Sequence, residues 1–135
     1  MTQDNAQAEP DVVTKISPRS VAETVTRLTD LIAARGQKVF AVIDQRAEAL
    51  TAGLDLRDTT LVIFGSPAAG TPVMEAAPLA ALDLPLKVLI WAGDDGGANV
   101  SYYAPAALAA RHHLSGDLAS RLAGIDPLTD ALVAS

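Results

Sequence analysis

The sequence predicts an α+β fold, with a mixed or antiparallel sheet of about five strands and helices packed on one face. Three observations carry this expectation. Short β-branched runs of period two alternate with helix-period segments through the first half of the chain. Later, Leu84 to Trp91 and Ala98 to Tyr103 are strand-like runs joined through Gly93-Asp94-Asp95-Gly96-Gly97, a hairpin signal. Helical segments then cluster at the C-terminus, where a parallel βαβ arrangement would need further strands. The connections before the hairpin leave a small doubly wound α/β domain as the alternative.

Taken in order, residues 1 to 10 read as a disordered lead-in and residues 11 to 135 as a single domain. Asp11 to Ile16 is a short β-branched strand. Ser20 and Glu23 have capping-box spacing, and Val21, Val25, Leu28 and Ile32 make one apolar stripe ended by Gly36. In Lys38 to Asp44, Val39, Ala41 and Ile43 share one face and Phe40 and Val42 the other, as in a strand covered on much of both sides. Arg46 to Ala52 is a short helix closed by Gly53. The run Thr59 to Phe64 is continuously apolar or β-branched, which suits a buried central strand. Thr71-Pro72 has the cap and first residue of a helix that Pro78 stops. Leu84, Leu86, Val88 and Ile90 point inward from the next strand. Pro105 begins a helix running toward Leu114. Leu118, Leu122, Ile125, Leu128 and Leu132 mark a helical tail, broken near Gly124 and restarted by Asp126 as cap with Pro127 behind it.

Composition narrows function. Half of the 135 residues are hydrophobic and the formal net charge is −6, which repels phosphate backbones and anionic lipid, so neither nucleic acid nor membrane is expected as a partner. The N-terminal ten residues carry acids where a secretory signal carries Lys or Arg, and the apolar stretch Leu84 to Ala92 is too short to span a bilayer. A cytoplasmic protein is expected. Without cysteine there is no disulfide, thiolate metal site or thiol nucleophile.

One segment suggests chemistry by its geometry. Between Gly65 and Thr71 a strand ends, two glycines free the backbone, and a helix is expected to start at Thr71. Free N–H groups near Thr71 and Val73 would then hold a carboxylate or phosphate, with Gly65, Ser66, Gly70 and Thr71 as the ligand-binding residues. The plain alternative is a tight turn with a Thr cap. No Lys follows Gly70 and neither nucleotide fingerprint fits, so a small polar ligand is expected over a polyphosphate. His112 and His113 are adjacent, and neighbouring helical positions diverge by about 100°, so no metal site is expected; one ring should be half-buried and the other solvated. Ser66 lacks the Gly-x-Ser-x-Gly elbow, and no cofactor is expected. An enzyme using Gly65 to Thr71 as an anion or oxyanion cradle remains the alternative to a binding role. Trp91, Tyr102 and Tyr103 cluster at the hairpin, as cross-strand packing or as an aromatic face for a second copy of the chain.

The phrases Phe64-Gly65-Ser66-Pro67-Ala68-Ala69-Gly70-Thr71-Pro72-Val73-Met74, Leu82 to Trp91, Val100-Ser101-Tyr102, Val39 to Asp44 and Gly53-Leu54 resemble the successive motifs of the bacterial family called domain of unknown function 302. The resemblance runs from about Ser17 to Leu114. It implies a TATA-binding-protein-like α+β architecture and a tendency to form a homodimer, and it implies no reaction. Ser66 stands where relatives commonly have Asn, and Ala68 and Ala69 where a basic residue often precedes the second glycine. An anion site there has lost a charge.

Overall fold

The computed structural model describes residues 11–135; the expected lead-in, residues 1–10, lies outside the described residues. Five strands form one sheet in the order β1-β5-β4-β3-β2: β1 Val12–Ser17, β2 Lys38–Asp44, β3 Thr59–Gly65, β4 Leu86–Ala92 and β5 Ala98–Tyr103. All four pairings are antiparallel, which removes the doubly wound alternative and makes the fold α+β. The expected hairpin is present, with Leu89 opposite Ser101 and Ala92 opposite Ala98. Its turn needs glycine at Gly96, whose φ is +85°.

The helices are α1 Val21–Ala34, α2 Gln45–Thr51, α3 Pro67–Ala76, α4 Pro105–Arg111, α5 Gly116–Ser120 and α6 Ile125–Val133, with a 3₁₀ turn at Pro78–Leu82. The capping box of α1 is made: the Glu23 N–H donates to Ser20 Oγ at 3.1 Å and the Ser20 N–H to Glu23 Oε1 at 3.2 Å. Its stripe of Leu28 and Ile32 packs on Val62, Phe64, Val88, Ile90 and Val100 of the sheet, joined by Ile125, Leu128 and Leu132 of α6. A smaller cluster of Val73, Ala80, Leu108 and Leu122 lies beside it, and Leu86 packs against both.

Four expectations need correction. A bulge between Val39 and Ala41 leaves Phe40 unpaired, so Val39 and Val42 stand opposite Phe64 and Val62 while Ala41 and Ile43 stand opposite Ile63 and Leu61. The expected alternation of faces along β2 is therefore broken. Because β2 is an edge strand, Phe40 and Val42 are 44% and 47% exposed and are not covered on both sides. The third helix is capped by Ser66 and begins at Pro67, so Thr71 and Pro72 lie inside it. Asp126 does not cap α6: the helix starts at Ile125 after Gly124, and the Asp126 carboxylate instead accepts a hydrogen bond from Tyr102 Oη at 2.6 Å.

Candidate functional site

Strand β3 delivers a buried Gly65, and the chain turns directly into α3. Ser66 has extended φ and ψ and its Oγ accepts the Ala69 N–H at 3.3 Å, while Pro67 occupies the first helical position, where its missing N–H costs nothing. The Ser66 carbonyl accepts the N–H groups of Ala69 and Gly70. The Thr71 and Val73 amides that the sequence set free thus fall within the helix. Gly70 is not a left-handed residue either, and a Cβ there would meet nothing nearer than 3.9 Å.

A cavity of about 310 Å³ opens against this first part of α3. Gly65, Ser66, Gly70 and Thr71 all border it, so the four candidates are brought together, as cavity wall and not as a loop. The remaining wall is Phe40 from the bulge of β2, Met74 one turn beyond Gly70, the segment Leu84 to Leu86, and Leu122. The lining is predominantly apolar. Its polar groups are Gln37, Ser66, Thr71 and Arg121, with Arg121 the only charged residue. Sequence reading missed Phe40, Met74, Leu84 and Arg121. Met74 stands four residues after Gly70, hence on the same helix face, and that spacing was a usable signal. Nothing local placed Arg121, which arrives from the end of α5.

The histidines lie outside this lining. His113 is exposed with φ +53°, whereas His112 is largely enclosed and its Nε2 lies 2.6 Å from Asp83 Oδ2. Arg111 Nη1 donates to both oxygens of Asp83, at 3.1 and 3.0 Å. Burial pushes the Asp83 carboxyl up, but the hydrogen bonds from His112 and Arg111 outweigh it and hold the pKa below its ordinary 3.8. Among the described residues no three His, Asp or Glu side chains gather so as to hold a metal ion. The hairpin aromatics are divided: Tyr102 is buried against the helices, whereas Trp91 and Tyr103 are on the opposite face, where Trp91 Nε1 donates to Ser101 Oγ at 2.9 Å.

Residues 13–132 match the family described as domain of unknown function DUF302. The chain belongs to the DUF302 family. A crystal structure of an uncharacterised conserved DUF302 protein from Bacillus stearothermophilus has the same fold, with a TM-score of 0.78 over 93% of this chain and 97% of that one at 18% identity. Among curated proteins, the chain is 41% identical over 103 residues, 76% of its length, to fluoride-specific ion channel FluC 1 of Brucella suis biovar 1. It is equally similar to FluC 2 of Brucella melitensis biotype 1. The chain spans about two fifths of these relatives' length, 41% and 38%. Among the described residues of this DUF302 protein, no helix is long and apolar enough to cross a membrane.

Proposed function

We propose that this DUF302 protein is a cytoplasmic small-ligand-binding domain, with its ligand in the cavity bordered by Gly65, Ser66, Gly70 and Thr71. The observation that carries the reading is the cavity: about 310 Å³ of mostly apolar wall with a few convergent polar groups, the usual make-up of a small-molecule site. Binding is favoured over an oxyanion cradle, because the Thr71 and Val73 amides lie inside α3 and the lining holds no histidine or carboxylate to act as base. Saturation-transfer NMR with p-cresol, a neutral probe of suitable size, tests it. The probe should bind the wild-type protein and not Gly70→Leu, whose side chain grows toward Leu84 and Met74 with no close backbone contact. Binding retained in folded Gly70→Leu would put the ligand elsewhere.

A homodimer is the second part of the proposal, supported by the sheet face turned away from α1 and α6. Leu61, Ile63, Leu89 and Trp91 are half-buried there, and Tyr103 is 48% exposed. Five strands about 4.8 Å apart and six or seven residues long present roughly 500 Å² per copy, the lower end of what a specific pair needs. Light scattering should give twice the 13.9 kDa chain mass, and Leu89→Lys should halve it without unfolding the protein. A monomer at all concentrations removes this part.

The 41% identity to the Brucella FluC proteins supports a further proposal, that the domain serves a fluoride channel as a module in the aqueous phase. Fluoride itself is a poor occupant of the cavity, because a small, strongly hydrated anion loses its water there and finds one arginine. The bound molecule would instead be a regulator. Loss of the protein should then lower the fluoride concentration that halves growth of its host, and unchanged tolerance would remove the connection.

A further inference from the structure

We propose that the ligand of this cavity is a small apolar carboxylate whose acid group pairs with Arg121; the inference rests on the ligand-binding reading above. Arg121 is the one charged residue in the lining, and guanidinium is never deprotonated in a protein. The other arginines show what usually becomes of such a group. Arg46 pairs with Asp55 and Asp58, Arg57 with Asp94 and Arg111 with Asp83. Arg19 and Arg27 donate to carbonyls at the end of α6. Among the described residues, Arg35 and Arg121 make no such contact, and only Arg121 borders a cavity. A cation at the rim of an apolar chamber selects a molecule with an apolar body and an anionic end, and it rejects an amine.

The same features choose among anions. One guanidinium fork matches one planar carboxylate, whereas a phosphate with two charges has no second cation here and meets a chain of net charge −6. Ser66 Oγ already accepts the Ala69 N–H, so its hydroxyl is left as a donor for a second polar atom on the ligand. A volume of about 310 Å³ equals about ten water volumes at ~30 Å³ each, which sets the scale of the molecule near ten non-hydrogen atoms.

Titration calorimetry of the full chain with phenylacetate, its neutral isostere phenylacetamide, and octanoate tests the inference. Arg121 is an exposed residue, so phenylacetate should bind a few-fold tighter than phenylacetamide at low salt, with the advantage shrinking as salt rises. Arg121→Gln should bring the acid's affinity down to that of the amide. Equal affinities for acid and amide in the wild type, or an acid preference that persists in Arg121→Gln, would overturn the inference and leave the pocket reading standing. Failure of both acids and the amide to bind would overturn the inference, and a simultaneous failure of p-cresol would overturn the pocket reading with it.

Discussion

The two apolar clusters of this fold are built from similar residues and end up differently closed. The larger one, between the sheet and α1 and α6, holds Leu28, Ile32, Val62, Val88, Val100 and Leu132 at no measurable exposure. Its polar insertions are matched in place: Ser17 and Thr24 share a hydrogen bond of 2.8 Å, and no buried polar side-chain atom among the described residues lacks a partner. The smaller cluster has only Val73, Ala80, Leu108 and Leu122 fully inside, and of the apolar residues packed against it Leu84 and Leu86 also face the cavity. The difference lies in the covering elements. Long α1 presents a whole stripe to the sheet, whereas the smaller cluster is assembled from short helices and a 3₁₀ turn that cannot interlock along their length. Stability should therefore reside in the first region and ligand space in the second.

The largest expected effect tests that division directly. Leu28→Ala should lose about 4 kcal/mol of unfolding free energy in urea, while Leu122→Ala, beside existing empty space, should lose about 2 kcal/mol. Equal losses would mean that the two clusters are packed alike.

Each region is also closed by a charged network, and the two respond to pH in opposite directions. In the larger region Lys15 Nζ donates to Thr129 Oγ1 at 2.7 Å, pairs with Asp130 at 2.8 Å and stands over the Tyr102 ring. Burial works to lower the Lys15 pKa, but bonding to Asp130 and Tyr102 outweighs it and the pKa is raised; burial raises that of Tyr102. Groups with raised folded pKa values stabilise fully below their unfolded values, and the contribution fades as pH rises through the folded ones. Stability should thus fall above about pH 10. Lys15→Met should cost about 2 kcal/mol at pH 7 and flatten that alkaline slope. An alkaline slope unchanged in Lys15→Met would assign it to other groups.

Much of the first region was legible in the sequence, and the reason is periodicity. The α1 stripe and the hairpin are regular patterns whose meaning is local, so their residues could be placed before any contact was known. The second region depends on non-local facts. The bulge that frees Phe40 exists only in the pairing of β2 with β3, and Arg121 reaches the cavity through the turn between α5 and α6. The displaced start of α3 has a different cause: Ser66-Pro67 and Thr71-Pro72 are both cap-and-proline pairs, and Gly65 before the first with Gly70 between the two suggested a loop. The end of a buried strand at Gly65 brings the first pair into position, and the helix then absorbs the second.

The acid side of the comparison belongs to the cavity region, where His112 and Arg111 from the end of α4 hold Asp83 just after the 3₁₀ turn. Asp83 has a depressed pKa, so its contribution is present above its unfolded value and is lost as pH falls through the folded one, below about pH 4. Asp83→Asn should cost about 1 kcal/mol at pH 7, and the gap between variant and wild type should narrow as the pH falls below 4. A gap constant from pH 7 to pH 3 would show that the carboxylate charge is not what joins α4 to the 3₁₀ turn.

The smallest expected effect sets the two functions of one position against each other. Gly70 lies within α3 with ordinary helical φ, and its N–H donates to the Ser66 carbonyl at 2.8 Å, so a side chain meets no backbone objection there. An added Cβ would touch Leu84 Cδ1 and Met74 Cε at 3.9 Å, ordinary van der Waals contact with two cavity walls. Glycine inside a helix is less stable than alanine by about 0.5 to 1 kcal/mol, and a methyl group resting on apolar neighbours adds to that difference. Gly70→Ala should raise the urea midpoint by the corresponding amount while reducing the cavity and weakening p-cresol binding. A helix that prefers alanine but keeps glycine is the pattern expected where space is needed more than stability. If Gly70→Ala instead lowered stability, the glycine would be answering a packing demand of α3, and its place in the wall would carry no functional meaning.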